Sequence, residues 1–451
     1  MDRRTDLTSG GILQKLVFVA LPIMGTQLMQ MMYNLTDMFW LGRLSSDAVA
    51  ASGAAGMYLW LGMAPLLFGR MGAEIGVSQN KGRGEMKTAE SFARNAWQLS
   101  LLLGVAYTLV LLLFSGPLLS VFNIREAHVA DDSALYLRVI GLGAPAVYMT
   151  SALIGAFIGA GNSRIPFYCN AAGQAANIIL DPIFIFTFDM GILGAAIASI
   201  ITQWGVLALI LIAVKKHRDR PFADFRLSLR PEAEKIRQII RWSLPVSIES
   251  ALFTLLSMPV TRMVTGFGTE ALAVQRVGSQ IESLSWLIGG GFGSAVTAFM
   301  GQNFGAGKWG RIDRGFRISS ATMLVWGFLI TVTLFFGGYS LYGLFLPEHE
   351  LRSMGAVYLK ILAACQIVAC LEAVGAGLFR GTGRTVPPSV ASIAGNAVRA
   401  PLCYALSLTP LGLNGIWWGV AVTAALRGIF IYGWAFFAFF RGRGQDGLTL
   451  E

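Results

Sequence analysis

The chain has 451 residues, of which 55% are hydrophobic and only 13% are charged. A soluble globular protein carries about 25% charged residues, so this composition excludes an ordinary water-soluble domain. The formal net charge is +10, but the basic residues fall mostly in alternate segments between apolar stretches. That distribution is typical of membrane orientation, and we expect no nucleic-acid partner.

The first apolar stretch, 12–41, is too long for the core of a signal peptide, and no small-residue cleavage pattern follows it. We therefore predict a retained first helix. Because about 20 apolar residues cross a hydrocarbon core, hydropathy predicts twelve transmembrane helices in all. In chain order they are 12–41, 47–79, 92–121, 133–158, 165–188, 191–214, 237–265, 271–303, 314–345, 353–379, 386–408 and 411–440.

Basic residues follow the even-numbered predicted helices, such as Lys81 and Arg83 after helix 2 and Lys308 after helix 8. The longest basic segment follows helix 6, whereas the segments around Asp131 and Glu348 on the other side are acidic or mixed. Since basic loops stay in the cytoplasm, we expect a multi-pass protein of the bacterial cytoplasmic membrane with both termini cytoplasmic.

Four short motifs recur in the same order, about 223 residues apart. A single glycine-rich turn between helices is common, but four ordered matches indicate two homologous halves of six helices each. The matched segments are 21–22 and 244–245, 79–84 and 302–307, 159–166 and 381–388, and 191–194 and 412–415.

An even number of helices in each half gives both halves one orientation, as in parallel repeats related by an axis along the membrane normal. We therefore predict an all-α integral membrane protein with two six-helix bundles, pseudo-two-fold symmetry and a central cleft. The predicted parts are an amino-terminal lobe 1–214, a cytoplasmic linker 215–236 and a carboxy-terminal lobe 237–451.

Asp37 lies inside predicted helix 1. An ionisable residue at the centre of a membrane helix costs about 2.5–3.5 kcal/mol on insertion scales, so it is a functional candidate. Met29, Gln30, Tyr33 and Asn34 precede it at helical spacing and share its face. Met29 is included because a flexible thioether can accommodate several ligand shapes.

Predicted helix 5 carries a second polar stripe, because Asn170, Gln174, Asn177 and Asp181 follow one another at steps of four, three and four residues. Such a stripe is costly to expose to lipid. The amides alone are equally consistent with hydrogen bonds that join neighbouring helices. For the two aspartates the sequence favours a functional role.

The Gln-Asn-x-Gly-x-Gly turns at 79–84 and 302–307 and the turn at 159–166 resemble those of the multidrug and toxic compound extrusion (MATE) family, and the resemblance covers nearly the whole chain. The segments 34–37 and 181–182 resemble its DNA-damage-inducible F (DinF) branch. The resemblance implies a multidrug efflux antiporter for cationic or amphipathic organic compounds, driven by H+ or alternatively by Na+.

The same resemblance implies that Asp37 and Asp181 carry the proton. Val260 and Cys403 stand at the equivalent places in the second half, so the carboxyl chemistry belongs to the first half. The resemblance implies Tyr136, Asn177 and Ser199 as the supporting network, to which the polar stripes add Asn34 and Gln174. The stripes predict the substrate-binding residues Met29, Gln30, Tyr33, Asn34, Asp37, Asn170, Gln174 and Asn177.

Relatives that bind Na+ in the second lobe bear acids where Leu255 and Ala369 stand here, which argues against that sodium site. The second lobe has charges whose roles stay open. Arg399 could neutralise Glu249 or Glu372, or take part in coupling. The full set of such charges is Glu249, Arg276, Glu282, Glu372 and Arg399.

No enzyme is expected, since His128, His217 and His349 are assigned to loops and no phosphate-binding loop is present. The four cysteines lack metal-ligand spacing. We expect no cofactor and no metal, with organic substrates, H+ and lipid as the partners of a monomer. Alternatives are a flippase for lipid-linked precursors, which would add helices 13 and 14 and a cationic cleft, and less favourably a channel or a membrane-embedded enzyme.

Overall fold

The computed structural model describes residues 5–121, 126–216 and 230–441, and within these ranges it is helical and contains no strand. Short π-helical segments cover Ile183–Thr187 and Phe437–Arg441. The α-helices are α1 (Ile12–Leu44), α2 (Ser46–Leu61), α3 (Met63–Arg83), α4 (Met86–Ser120), α5 (Ala127–Gly141), α6 (Ala144–Gly159), α7 (Arg164–Pro182), α8 (Gly191–Lys216), α9 (Ala233–Thr265), α10 (Thr269–Gly305), α11 (Trp309–Gly343), α12 (His349–Gly381), α13 (Val386–Ser407) and α14 (Leu413–Phe436).

The predicted twelve-helix order corresponds to these elements, and the chain is an all-α integral membrane protein. Ten predicted helices match one α-helix each, whereas 47–79 is divided into α2 and α3 and 133–158 into α5 and α6. Among the described residues, 9 helices are long and apolar enough to span a membrane, or 10 with α5 and α6 taken as one bent span. Helices α7 and α13 do not meet that test, and both carry polar side chains within their length.

Gly62 separates α2 from α3. Backbone hydrogen bonds continue across the break, from Gly62 N–H to Tyr58 O at 3.0 Å and from Leu66 N–H to Gly62 O at 3.4 Å. In lipid, a carbonyl whose backbone bond is long needs a further partner within the protein. Tyr148 donates its hydroxyl to Gly62 O at 2.7 Å, and Tyr107 donates to Tyr58 O. A side chain at position 62 would contact the Tyr107 ring at 2.8 Å, so glycine permits this packing.

The break between α5 and α6 bends the chain by 44°. Pro145 lies in the first turn of α6, where its missing N–H has no helical partner to lose. The Thr108 hydroxyl donates to Gly141 O at 2.7 Å, and the Trp204 indole donates to Leu142 O at 3.4 Å. Side chains of α4 and α8 therefore satisfy the released carbonyls.

The chain divides into two compact units. Unit 1 comprises Met1–Leu7 and Phe18–Ser247, and unit 2 comprises Thr8–Val17 and Ile248–Glu451. The division after Ser247 falls inside α9. Residues 217–229 of the predicted linker, including His217, Arg218, Arg220 and Arg226, lie outside the described residues.

Close packing between two helices recurs in each unit. In unit 1, a side chain added at Gly155 or Gly159 of α6 would meet the backbone of α3 at Arg70 and Glu74. In unit 2, additions at Gly377 and Gly381 of α12 would meet the backbone of α10, at Gly293 O and Thr297 O. Small residues four apart allow membrane helices to approach closely. The same arrangement occurs at corresponding positions of the two units.

The predicted repeat also appears in the turns. Glycines with positive φ follow the corresponding helices of both halves, a conformation that glycine adopts without penalty. The matched pairs are Gly84 (φ 81) and Gly307 (φ 66), Gly161 (φ 81) and Gly383 (φ 80), and Gly191 (φ 55) and Gly412 (φ 51).

Candidate functional site

The polar stripe of α1 contacts α7 through a chain of amides. The Gln174 amide donates to Gln30 Oε1 at 3.0 Å, and the Gln30 amide donates to Asn34 Oδ1 at 3.3 Å. Gln174 is buried, whereas Gln30 and Asn34 are exposed. The structure therefore brings together three of the residues predicted from helical spacing.

A second contact joins the same stripe to α8. The Tyr33 hydroxyl and the Ser199 hydroxyl lie 3.0 Å apart and share a hydrogen bond. Ser199 is only 2% exposed. This bond places the α1 stripe beside the buried face of α8, and the role of Ser199 as a neighbour of the acids stays a prediction.

Asp181 on α7 is fully buried, and Asn177, one turn earlier, is 1% exposed. Within the described ranges, neither carboxylate oxygen of Asp181 has a hydrogen-bond partner. Asn177 is the side chain that approaches this carboxylate, without the alignment of a hydrogen bond. No described cation forms an ion pair with this acid.

Asp37 on α1 is partly buried, and its Oδ1 atom has no hydrogen-bond partner in the described part of the chain. Asp37 and Asp181 are close enough for their charges to repel each other. No ion pair in the described parts of the chain includes either acid. The two carboxyl groups therefore belong to one local group without a cation.

Tyr136 on α5 is 4% exposed. It lies within electrostatic range of Asp37, Tyr33 and Asp181. Helices α1, α5, α7 and α8 thus each contribute to one polar group inside unit 1. We call this group the acid cluster; its members are Tyr33, Asp37, Tyr136, Asn177, Asp181 and Ser199.

The local backbone explains how α7 ends beside the cluster. Pro182 follows Asp181 directly and cannot donate a backbone hydrogen bond. The chain continues as the π-helical segment Ile183–Thr187, a form that often occurs at functional sites. A side chain at Gly194 of α8 would meet the backbone of Phe184 at 2.6 Å, so α8 packs closely against this segment.

The family model described as MatE matches residues 22–183 and 245–405, one match in each predicted half. The chain belongs to the MatE family. The resemblance seen in the sequence motifs is therefore confirmed at the level of the family, while the DinF-like branch stays a prediction.

Known MatE relatives match along most of their length. The chain is 26% identical to the probable multidrug resistance protein NorM of Thermotoga maritima, covering 92% of this chain and 90% of that protein. It is 23% identical to the multidrug export protein MepA of Staphylococcus aureus (strain N315), covering 92% and 91%.

Solved structures show the MatE fold. A crystal structure of MATE in the bent conformation has a TM-score of 0.91 at 21% identity, with 97% and 98% of the two chains covered. A multidrug resistance MATE family transporter of the MOP superfamily in an outward-facing conformation has a TM-score of 0.90 at 21% identity, with 99% and 100% covered.

Two predicted substrate-binding residues of this MatE chain make no contact with the acid cluster through hydrogen bonds. The Asn170 amide donates to Pro166 O at 2.7 Å within its own helix. Met29 is partly buried on the α1 stripe. Their substrate roles stay predictions that follow from helical spacing alone.

Trp40 was not among the predicted site residues. Its indole N–H is buried and has no hydrogen-bond partner, and its ring lies 6.0 Å from that of Phe186 in an edge-on arrangement. Trp40 follows Asp37 by three residues, so helical periodicity on the same face was the signal that could have identified it.

Two acids of unit 2 pair with arginines of the same unit. Glu249 accepts a hydrogen bond from Ser389 at 2.8 Å and lies 3.7 Å from Arg380. Glu372 pairs with Arg427 at 3.0 Å. Arg399, which the sequence offered as a partner for Glu249 or Glu372, forms an ion pair with neither.

The histidine assignment to loops is wrong for two residues. His128 lies in the first turn of α5 and His349 begins α12, because both helices start earlier than their hydropathy indicates. One ligand atom from each of His128, Asp47 and Glu126 lies within 4.8 Å of the others. These groups, at the start of α2 and α5, could hold a metal ion.

Proposed function

We propose that this protein is a secondary active transporter that exports cationic or amphipathic organic compounds from bacterial cells in exchange for H+. Relatives named as multidrug resistance and multidrug export proteins support the efflux part of this proposal. The observation that carries the proton part is the pair Asp37 and Asp181, which has no cationic partner among the described residues.

The electrostatics of Asp37 and Asp181 explains how a proton and a cationic substrate are exchanged. Removing a charged carboxylate from water costs several kcal/mol when no partner compensates it. A bound proton removes that cost, and so does a cationic substrate placed beside the carboxylate. Proton and substrate then compete for one site, and each lowers the affinity for the other by the same factor. This competition is the basis of antiport.

The choice of H+ over Na+ rests on the second unit. Hard cations take oxygen ligands, and Leu255 and Ala369 offer apolar side chains at the positions where sodium-binding relatives carry acids. The first unit offers two carboxyl groups that load and release a proton. We further propose a monomer with lobes 1–214 and 237–451, the linker 215–236 and both termini on the cytoplasmic side.

Sealed vesicles containing the purified protein test this function. Tetraphenylphosphonium, a permanent cation, should move against its gradient only when a pH gradient is imposed. The Asp37→Asn variant should lose this coupling. Asp189→Asn is a matched control, because Asp189 is an exposed acid of the same unit with φ 53, a conformation that asparagine tolerates.

The same vesicles distinguish the alternatives. Movement of the cation down its own gradient, faster than in protein-free vesicles and at equal rates with and without a pH gradient, would indicate a channel. Absence of any cation movement from vesicles that hold well-folded protein would refute the efflux proposal.

A further inference from the structure

Three side chains of types that bind metals meet where α2 and α5 begin. Asp47 lies in the first turn of α2, His128 lies in the first turn of α5, and Glu126 directly precedes α5. Asp47 and His128 are 81 residues apart in the sequence. The packing of two helices therefore assembles this group, which is not a local run of acidic residues.

The distances within the group match those between ligands of one metal ion. His128 Nε2 lies 3.1 Å from Asp47 Oδ2 and 3.6 Å from Glu126 Oε2. One ligand atom from each residue lies within 4.8 Å of the other two. Zinc bonds of about 2.0–2.2 Å in a tetrahedron place neighbouring ligand atoms about 3.3–3.6 Å apart. An ion therefore fits between these side chains after small rotations of their outer bonds.

The chemistry of the three ligands selects a class of metal. An imidazole nitrogen together with carboxylate oxygens suits Zn²⁺ and other transition metals. The hard cations Mg²⁺ and Ca²⁺ prefer oxygen ligands alone. The histidine therefore favours a transition metal over the hard cations.

The Glu126 carboxylate is not used to cap its own helix. Glu126 is the N-cap residue of α5, and its side chain makes no capping hydrogen bond. The cap of α2 comes from Ser45, whose hydroxyl accepts a hydrogen bond from the Ala48 N–H at 3.0 Å, so α2 needs no cap from Asp47. Glu126 lies against His128 instead of the backbone at the helix start.

We propose that Asp47, Glu126 and His128 form a transition-metal site, best suited to Zn²⁺, that joins the starts of α2 and α5. The side chains of His128 and Glu126 are 63% and 62% exposed, so an ion in solution reaches the group. In the orientation proposed above, both helices begin on the side opposite the termini, and the ion comes from outside the cell.

This proposal departs from the expectation of no metal, because residue spacing cannot show that Asp47 and His128 meet. None of the three ligands belongs to the acid cluster. The site therefore does not depend on the proposed export function.

Isothermal titration of zinc chloride into the purified full chain, with any histidine tag removed, tests the site. We expect saturable binding of one ion per chain. In His128→Gln, zinc binding should weaken by at least about tenfold, because even the loss of a residue that only supports a ligand typically costs about 10–100-fold in affinity. Magnesium chloride at the same concentrations should show no saturable binding.

Two variants serve as matched controls. His349 is an exposed histidine in the first turn of α12 beside Glu348 and Glu350, and no group of three metal ligands among the described residues includes it. Asp131→Asn removes one negative charge from an exposed position of α5, three residues after His128. Both His349→Gln and Asp131→Asn should bind zinc with the affinity of the parent.

Thermal unfolding provides a second readout, since a ligand that binds only the folded chain raises its melting temperature. Zinc should raise the melting temperature of the parent and of both control variants. The rise should be lost in His128→Gln and reduced in Asp47→Asn. Because His128 is exposed, we expect the variant without zinc to unfold at the temperature of the parent.

Equal zinc affinity in the parent and His128→Gln overturns the inference, and so does a parent without saturable zinc binding. Equal losses in His128→Gln and His349→Gln also overturn it, because zinc would then bind exposed histidines without a shared site. Magnesium binding as tight as zinc binding contradicts a nitrogen ligand. Coupled movement of tetraphenylphosphonium is measured separately, and its failure bears on the export function alone.

Discussion

Asp37 is partly buried, and its buried Oδ1 atom has no hydrogen-bond partner among the described residues. In Asp37→Asn the amide keeps the shape and polarity of the side chain but cannot release and rebind a proton. We expect folded protein in normal amounts with proton-coupled export abolished, measured as drug resistance of cells that express it.

The matched variant for this test is Asp189→Asn, which should confer the resistance of the parent. Normal resistance from a well-expressed Asp37→Asn protein would show that Asp37 is not required for coupling.

Asp181 and Asn177 lie one turn apart and are both buried without aligned partners. Residues in one polar group have coupled effects. We expect Asp181→Asn and Asn177→Ala each to reduce transport strongly, and the double variant to be no worse than the more defective single variant. Initial transport rates in vesicles provide the comparison.

If the double variant instead shows the product of the two single defects, the residues act independently. The same comparison of single and double variants applies to Tyr136→Phe with Asp181→Asn. Tyr136 lies within electrostatic range of Asp181, and no hydrogen bond between the two side chains is described.

At the scale of elements, the last helical turns of α3 and α10 contain the same local contact. The Asn80 amide donates to Gly76 O at 2.7 Å, and the Asn303 amide donates to Phe299 O at 2.8 Å. The two asparagines are 2% and 0% exposed. Lys81, which follows Asn80 in the last turn of α3, donates to Ala160 O at 2.5 Å. This bond connects the C-terminal ends of α3 and α6.

We expect Asn80→Ala and Asn303→Ala to lower stability, by about 1–3 kcal/mol each for the loss of a buried hydrogen bond, while substrate affinity stays near that of the parent. Thermal unfolding and isothermal titration of the purified protein measure the two quantities. Gln14→Ala removes an exposed amide of α1 and should change neither. A tenfold loss of affinity, about 1.4 kcal/mol, with unchanged thermal stability would place these turns in the binding site.

The break between α2 and α3 depends on one tyrosine. Tyr148 is 3% exposed and donates to the carbonyl of Gly62 at 2.7 Å. Tyr148→Phe should lower the melting temperature, because the Gly62 carbonyl then keeps only the 3.4 Å hydrogen bond from the Leu66 N–H, and the loss of one hydrogen bond costs about 0.5–1.5 kcal/mol. Tyr168→Phe, at a tyrosine that is 65% exposed, is the control. Equal melting temperatures for the two variants would mean that another group satisfies Gly62.

The polar stripes were predictable because helical spacing is a local property: Asp37 and Asn34 share a face wherever the helix packs. The helix breaks between α2 and α3 and between α5 and α6 were not predictable. Gly62 alone does not signal a break, and its partner Tyr148 lies 86 residues away. The same limit applies to Arg399, since a sequence cannot show that Glu372 pairs with Arg427 instead. Long-range pairing decides these features.

At the scale of the whole molecule, the two units share construction and differ in polar chemistry. The glycine contacts between α3 and α6 recur between α10 and α12, and the positive-φ turns recur in order. Between these shared features, unit 1 carries Asp37 and Asp181, and unit 2 carries Val260 and Cys403 at the equivalent positions. We therefore place the proposed proton exchange in unit 1.

The most direct test of proton exchange is the release of protons when substrate binds. Purified protein is placed in weakly buffered detergent solution with a pH indicator, and tetraphenylphosphonium is added. The parent and Asp189→Asn should release protons in proportion to the bound cation, and a variant with both Asp37→Asn and Asp181→Asn should release none. Saturable binding of the cation to the parent without any change in solution pH would contradict the account.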